Sequence, residues 1–187
     1  MTAPSILPEI IVVEPRVFKD QRGWFYESYS ARIMKSLGIR DKFVQDNHSY
    51  SINEGVIRGL HYQKRPMAQA KLVRCSSGEI FDVAVDIRIG SPNYGKWYGV
   101  VLSAENKKQL FIPRGFAHGF LTLVDNCEVQ YKVDNFYSAE NDRGIRYDDP
   151  DIEIEWGVEN PLLSDKDARA PYLRNSDNNF YWGEESL

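Results

Sequence analysis

The sequence predicts an all-β domain built as an antiparallel double-sheet jelly roll with a few short helices. The first observation is a succession of short β-prone segments, separated by turn residues, that begins at Phe43. The second is that these segments do not alternate with helical ones, so a parallel sheet is not expected. The third is the content of 11 tyrosines and 9 phenylalanines, which favour strands and can also stack on a base or a sugar.

Composition limits the range of functions. A chain of 187 residues suits one domain, spanning residues 1–187, and is long enough to bury a core. The formal net charge of -4 argues against a nucleic-acid partner, because a general nucleic-acid surface is basic. No apolar run approaches the roughly 20 residues of a membrane span, so no membrane partner is expected. Two cysteines, and no signal sequence before Pro8, favour a cytoplasmic location.

The first quarter of the chain contains two predicted strands and one predicted helix. Residues 10–14 are apolar and residues 23–29 are rich in aromatic side chains, and each pattern indicates a strand. Ser30 is a suitable N-cap for a short helix. Gly38 can end this helix in the left-handed conformation that glycine tolerates.

Eight further strands complete the predicted sheets. They span residues 43–52, 56–63, 71–75, 79–87, 97–102, 109–112, 118–124 and 128–135. A last short helix is predicted from Ser164, because Ser164 as N-cap and Asp167 three residues later resemble a capping box. The tail, residues 171–187, is predicted to be loop-like.

The motif RGLHYQ at residues 58–63 contains the first candidate for chemistry. An imidazole has an unperturbed pKa near neutrality, so His61 can take a proton from carbon or oxygen and return it. Arg58 nearby indicates an anionic ligand, since its planar fork suits phosphate or carboxylate. The alternative is a half-buried strand in which His61 only satisfies a local hydrogen bond.

A metal site is not expected. Divalent sites in β-barrels commonly use two histidines that alternate on one strand. The residue two positions after His61 is Gln63, and the residue two positions after His118 is Phe120, so neither strand supplies such a pair.

Lys71 is the second candidate, and it has two interpretations. It alternates with Val73 and Cys75 on one strand face, so it could point into the barrel. Alternatively, it is an edge-strand lysine that discourages aggregation.

His118 and Tyr131 are further candidates. A Pro-Arg-Gly turn precedes the strand that contains His118. His61 and His118 are therefore two histidines that enter neighbouring strands. Tyr131 alternates with Val129 and Val133, so its ring is expected to face the interior, where a phenol needs a hydrogen-bond partner or a chemical task. A core tyrosine with a satisfied hydroxyl is the alternative.

Five motifs, in this order along the chain, resemble the dTDP-4-dehydrorhamnose 3,5-epimerase family of nucleotide-sugar cupins. They are FVQDN at 43–47, RGLHYQ at 58–63, KLVR at 71–74, GEIFDVAVD at 78–86 and PRGFAHGF at 113–120. The resemblance runs from about residue 14 to residue 167 and implies a cupin-like fold.

The resemblance also implies a division of catalytic work. His61 is the base that removes a proton beside the C4 ketone of a nucleotide-linked 6-deoxy-4-keto sugar. Lys71 stabilises the enolate oxygen, and Tyr131 supplies a proton from the opposite face. Asp167 orients His61, since an acid on one ring nitrogen leaves the other free as base. That role competes with the capping-box interpretation of Asp167.

Nine more residues are implied in binding a dTDP-linked 4-keto-6-deoxy sugar. They are Arg22, Phe25, Glu27, Gln45, Asn47, Arg58, His118, Asp142 and Lys166. Strict strand alternation puts Arg58 and His61 on opposite faces, so either Gly59 marks a bulge or Arg58 reaches around the strand.

The expected function is therefore cofactor-independent epimerisation of dTDP-4-dehydro-6-deoxy-D-glucose at C3 and C5, giving dTDP-4-dehydro-L-rhamnose. A related single-centre epimerase or ketoisomerase is one alternative. A non-catalytic sugar-nucleotide-binding cupin is another.

The resemblance finally implies a homodimer, in which N-terminal strands of about residues 1–30 are exchanged and residues 22–27 help build the neighbouring site. The apolar segment 10–14 fits a strand that is paired and buried. Residues 175–187 have no counterpart in the resemblance.

Overall fold

The computed structural model of the chain describes residues 7–184. Within them the chain forms twelve strands, two short α-helices and one 3-10 turn. The strands are β1 (Ile11–Val13), β2 (Phe18–Asp20), β3 (Gly23–Phe25), β4 (Gln45–Ser51), β5 (Ile57–Gln63), β6 (Lys71–Ser77), β7 (Glu79–Asp86), β8 (Trp97–Ser103), β9 (Gln109–Ile112), β10 (Phe116–Thr122), β11 (Cys127–Val133) and β12 (Asp142–Gly144). The helices are α1 (Ala31–Ser36) and α2 (Asp165–Ala168), and the 3-10 turn is Leu173–Asn175.

Two five-stranded antiparallel sheets face each other. The first sheet has the order β1-β9-β6-β11-β4, and the second has the order β12-β5-β10-β7-β8. Strands β2 and β3 form a separate two-stranded hairpin. This arrangement confirms the predicted double-sheet jelly roll.

The core between the sheets comes from inward-facing residues of both. Val73, Leu110 and Val129 of the first sheet pack in one buried cluster with Ile80 and Leu102 of the second. Burial of these apolar side chains is the main favourable term for joining the two sheets.

The second sheet is covered on both faces. Its outer face packs against the segment that follows β12, including the buried Ile145, Ile152 and Trp156. As a result all seven residues of β10 are buried, and its sequence does not show the alternation of a strand with one solvated face.

Two N-terminal elements differ from the sequence-based expectation. The aromatic strand predicted over residues 23–29 ends at Phe25 and forms the hairpin with β2, since all six hairpin residues are exposed and no further strand continues it. Helix α1 follows Ser30 as expected, although the Ser30 hydroxyl makes no capping hydrogen bond.

The C-terminal tail packs on the second sheet. Phe180 is buried and contacts the ring of Tyr62, and Tyr181 forms a β-bridge with Ile89. Asp177 forms ion pairs with Lys64, just after β5, and with Arg143 of β12. The predicted N-terminal segment, residues 1–30, and the predicted tail, residues 171–187, include residues 1–6 and 185–187, which lie outside the described residues.

None of the helices within residues 7–184 is long and apolar enough to cross a membrane.

Candidate active site

A β-bulge in β5 brings two predicted site residues to one side of the sheet. His61 pairs with His118, but Arg58 pairs with Phe120, so three steps along β5 match two along β10. The extra residue reverses the alternation, which confirms that Gly59 marks a bulge. The Gly59–Leu60 peptide bond is cis.

Only glycine fits at this point of β5. Gly59 has a φ of +127°, and a Cβ atom there would lie 2.5 Å from the Cα of Gly119 and 2.7 Å from the carbonyl oxygen of His118. The bulge therefore depends on the close approach of two glycine backbones.

His61 is held by a buried carboxylate. The His61 Nε2 and Asp167 Oδ1 atoms are 2.6 Å apart, and only 4% of the Asp167 side chain is exposed. Burial alone would raise the pKa of Asp167, but hydrogen bonds from His61, Ser164 and the Gly59 N–H outweigh it, so this pKa lies below its ordinary value. Because Nε2 is engaged, Nδ1 is the ring nitrogen of His61 that remains for chemistry.

Ser164 caps helix α2 as predicted, but the carboxylate of Asp167 contacts His61 rather than completing a capping box. The backbone N–H of Asp167 donates to the Ser164 hydroxyl at 3.1 Å, which is the cap of helix α2. Its side chain contacts His61. The Ser164 cap holds the backbone of Asp167, and the carboxylate is free to contact His61.

Lys71 points into the space between the sheets. Strand β6 lies between β9 and β11, so the edge-strand interpretation of Lys71 is wrong. The residue is buried, and its Nζ lies 3.4 Å from the carbonyl oxygen of His61. Burial lowers the pKa of Lys71 to about 8, because an ammonium loses hydration there.

Tyr131 faces the same space from the first sheet. It lies opposite Asn47 of β4 and Val73 of β6, and its ring is half-buried. Burial raises the pKa of Tyr131, which keeps the phenol protonated at neutral pH. The hydroxyl can therefore donate a proton.

His118 forms a second buried histidine–carboxylate pair. Its Nε2 is 2.7 Å from Oδ1 of Asp82, and both side chains are almost fully buried. Burial lowers the pKa of His118 despite the neighbouring carboxylate, so its ring is neutral at neutral pH.

These side chains converge on one cavity of about 400 Å³ and on an adjoining one of about 180 Å³. The first cavity is lined by seven predicted site residues, namely Arg58, His61, Lys71, His118, Tyr131, Lys166 and Asp167. The second shares four of them and adds Gln45, Asn47 and Asp142. The site thus lies between the two sheets, with His61 on one wall and Tyr131 on the other.

The sequence and the fold both resemble known proteins. A sequence model described as dTDP-4-dehydrorhamnose 3,5-epimerase matches residues 4–175. The chain belongs to this family. A family member from Shigella flexneri, named dTDP-4-dehydrorhamnose 3,5-epimerase, is 56% identical over 172 residues, which cover 91% of this chain and 94% of the relative.

Two solved structures of the family show the same fold. The Legionella pneumophila dTDP-6-deoxy-D-glucose-3,5-epimerase, in complex with dTDP-4-keto-L-rhamnose, is 48% identical with a TM-score of 0.89, and the match covers 92% of each chain. The Bacillus anthracis dTDP-4-dehydrorhamnose 3,5-epimerase, with TDP and PPi bound, is 49% identical with a TM-score of 0.88, covering 90% of this chain and 96% of the other.

Polar contacts fix the residues at the rim of this family member's cavity. The Arg58 Nε donates to the Ser51 hydroxyl at 3.1 Å, and its guanidinium also donates to the Tyr50 carbonyl oxygen at 2.9 Å. The Gln45 amide donates to Asn47 at 2.9 Å. The two bonds of Arg58 hold its guanidinium at the rim of the cavity.

On the opposite rim, Asp142 joins two elements. It accepts from the Lys166 ammonium and, at 3.3 Å, from the hydroxyl of Tyr137. Asp142 and Lys166 thus lie together as a charged pair beside His61 and Lys71.

Three predicted binding residues do not line the cavity of the chain to which they belong. Arg22, Phe25 and Glu27 lie on or just after the exposed hairpin. Arg22 pairs with Asp20 at 2.6 Å, and 67% of Phe25 is exposed.

Sequence reasoning missed two residues that belong to the site. Asp82 holds His118, and the signal for it was a charged residue at an inward position between Ile80 and Ala84. Tyr137 lines the smaller cavity from an irregular loop, where no periodic pattern could indicate its direction.

Among residues 7–184, no group of three or more His, Cys, Asp or Glu side chains is arranged to hold a metal ion.

Proposed function

We propose that the chain epimerises dTDP-4-dehydro-6-deoxy-D-glucose at C3 and C5 to give dTDP-4-dehydro-L-rhamnose. One observation carries the proposal: a histidine from one sheet and a tyrosine from the other face each other across a single cavity. A sugar ring between them is flanked by a proton acceptor on one side and a proton donor on the other. Inversion at carbon requires such an arrangement, and the names of the relatives agree with it.

The base in this proposal is His61. Its Nδ1 takes the proton from the carbon beside the C4 ketone, and the electrons of the C–H bond form an enolate. Asp167 stabilises the imidazolium that results, because the carboxylate is ionised and only 2.6 Å away.

Lys71 stabilises the enolate oxygen. With a pKa of about 8, its ammonium is mostly charged at pH 7 and is more acidic than an exposed lysine. A charge in a site with little water acts strongly on the developing negative charge.

Tyr131 completes the inversion by donating its phenolic proton to the opposite face of the same carbon. The cycle leaves His61 protonated and Tyr131 deprotonated, and exchange with solvent restores both. Because a proton is removed and another returned, the carbon changes no oxidation state, and the proposed reaction requires no redox cofactor.

The proposed ligand end of the site is cationic. Arg58 is oriented for a diphosphate by Ser51 and the Tyr50 carbonyl, and Lys166 adds a second cation beside Asp142. Gln45 and Asn47 offer amides to the base or the sugar.

The proposal includes a homodimer in which the hairpin reaches the neighbouring cavity. Strand β1 pairs with β9 of its own chain, so within residues 7–30 the hairpin of β2 and β3 is the segment available for exchange. Its exposed Phe25 and its cation Arg22 suit a nucleotide better than bulk solvent.

Incubation with the keto sugar nucleotide in deuterated water tests the proposed function. We expect deuterium uptake and inversion at both C3 and C5, read by NMR. Exchange with inversion at one carbon would instead identify a single-centre epimerase, and migration of the ketone would identify a ketoisomerase. Binding without exchange at either carbon would identify a binding protein.

A further inference from the structure

Asp82 is a buried carboxylate behind the cavity that the mechanism above does not use. It lies in β7 between the inward-facing Ile80 and Ala84 and has no exposed surface. Its Oδ1 is 2.7 Å from Nε2 of His118. Its Oδ2 is buried and has no hydrogen-bond partner among the described residues.

Stability alone does not explain a carboxylate in this environment. A buried charge costs free energy unless it is fully paired, and a pair of this kind is often less stabilising than apolar side chains of similar volume. Asp82 is only half paired and stands among apolar residues. Its presence there points to a role in the neighbouring site.

Its surroundings indicate what that role is. His118 lies directly opposite His61 in the pairing of β10 with β5. The charged groups that act on His118 are Asp82 from β7, Lys71 from β6 and His61 from β5. His118 lines the cavity, and Asp82 is the carboxylate that contacts its ring.

We propose that Asp82 is a positioning residue for the reaction: it holds the His118 ring by Nε2, so that Nδ1 faces the ligand as an unprotonated acceptor. The inference rests on the proposed function for its catalytic consequence. The tautomer follows from the donor rules, because a carboxylate only accepts and a neutral imidazole carries one proton. An unprotonated Nδ1 accepts a hydrogen bond from a sugar hydroxyl.

The first test needs no substitution. In wild-type protein labelled with ¹⁵N-histidine, the long-range couplings of His118 identify which ring nitrogen carries the proton. We expect a neutral ring with the proton on Nε2 at pH 7. A proton on Nδ1 in the wild type would overturn the proposal, whatever the behaviour of any variant.

The second test is Asp82→Asn. The amide can donate to Nε2, so the proton of His118 is expected to move to Nδ1, and the cavity then presents a donor where it had an acceptor. We expect kcat/KM to fall about 10²-fold, the scale on which a misplaced catalytic contact is felt. An unchanged tautomer together with an unchanged kcat/KM would contradict the proposal.

Asp86→Asn is the matched control. Asp86 is a fully buried carboxylate on the same strand, but it bonds Arg88 and Ser91 outside the cavity. We expect it to lower stability without changing the His118 tautomer or the kcat/KM of the folded enzyme. If both variants lost activity equally, Asp82 would be structural and the proposal wrong.

Different results contradict the proposed function and the role of Asp82. Absence of deuterium exchange by the wild type would contradict the proposed function. A His118 ring protonated on Nδ1 in the wild type, or an Asp82→Asn variant with both the tautomer and kcat/KM unchanged, would contradict the role of Asp82 alone. If Asp82→Asn does not fold, the wild-type spectrum still decides the question.

Discussion

Lys71 shows how a single residue of the site trades stability for chemistry. Its ammonium is buried between the sheets and makes one long hydrogen bond, to the carbonyl oxygen of His61. Its pKa in the folded protein is about 8, whereas an unfolded chain leaves lysine near its ordinary value. The folded state therefore holds this proton less tightly than the unfolded state does.

We predict that Lys71→Met raises the free energy of unfolding at pH 7 and abolishes epimerisation. The gain is at most about 3 kcal/mol, since one pKa unit corresponds to about 1.4 kcal/mol. It is full below pH 8 and shrinks as the pH rises toward about 10, because wild-type stability increases over this range, in which folded Lys71 is neutral while the unfolded lysine still binds its proton. Urea unfolding at pH 7 and pH 10 measures the difference.

Lys42→Met is the control for that experiment, since Lys42 is exposed. It should change stability little at either pH. A Lys71→Met protein that is less stable than wild type at pH 7, or that retains normal activity, would contradict this account of Lys71.

The direction of a single side chain was predictable where it follows from the alternation of a regular strand. Alternation along regular strands predicts where Lys71 and Tyr131 point. It does not predict their neighbours: the contact between His61 and Asp167 joins positions 106 residues apart, and only the family resemblance indicated it. The edge interpretation of Lys71 failed because strand order is set by long-range pairing, which local sequence does not contain.

The bulge in β5 is the element on which the site geometry depends. It places Arg58 and His61 on one cavity by inserting a residue against β10. The required residue is Gly59, for which both the backbone conformation and the available space exclude a side chain.

We predict that Gly59→Ala destabilises the protein and removes activity, because the methyl group must displace the Gly119 backbone. Gly38→Ala is the matched control: Gly38 also has a positive φ, +89°, but a Cβ atom there has nothing within 4 Å. The control should cost about 1 kcal/mol from backbone conformation alone. Gly59→Ala should cost about 1–3 kcal/mol more, from overpacking. Equal losses in chemical unfolding would contradict the bulge argument.

The presence of a strand was easier to predict than the residues at which it ends, or than a small hairpin. The eight strands predicted after Phe43 are present, with ends that shift by a few residues. The aromatic segment after Gly23 was overextended, because a high β-propensity has no effect where no partner strand is available.

At the scale of the whole molecule, the C-terminal tail is part of the folded domain. The matched family region ends at residue 175, yet Phe180 is buried against Tyr62 in the core of the second sheet. Tyr62 belongs to β5, the strand that carries His61.

We predict that Phe180→Ala lowers the free energy of unfolding by about 3–5 kcal/mol, the cost of removing a buried aromatic side chain. Tyr181→Ala is the control, since Tyr181 is half exposed. Its cost should stay within about 0.5 kcal/mol, as for other surface positions. Chemical unfolding measures both, and equal costs would show that the tail does not contribute to the core.

The proposed dimer makes a prediction about pairs of variants. Arg22→Ala should lower kcat/KM roughly tenfold to a hundredfold through loss of a charge-assisted contact. Co-expression with His61→Ala should restore activity, since one cavity of a mixed dimer then receives an intact hairpin and an intact His61. Co-expression of His61→Ala with Lys71→Met should not, because both defects lie in the same cavity.

Failure of the first pair to restore activity, or sedimentation of an active monomer, would contradict the exchange of the hairpin. Restored activity would also account for the position of Arg22, which among residues 7–184 of its own chain pairs with Asp20.

The most direct test of the central claim follows deuterium at C5 of the keto sugar nucleotide in His61→Ala and Tyr131→Phe. His61→Ala should show neither exchange nor inversion, since a sole base contributes about 10²–10⁴-fold. Tyr131→Phe should exchange the C5 proton while inverting far more slowly, because His61 returns a deuteron to the face from which it took the proton. Normal inversion by Tyr131→Phe, or near-normal exchange by His61→Ala, would contradict the assignment of base and acid to opposite walls of the cavity.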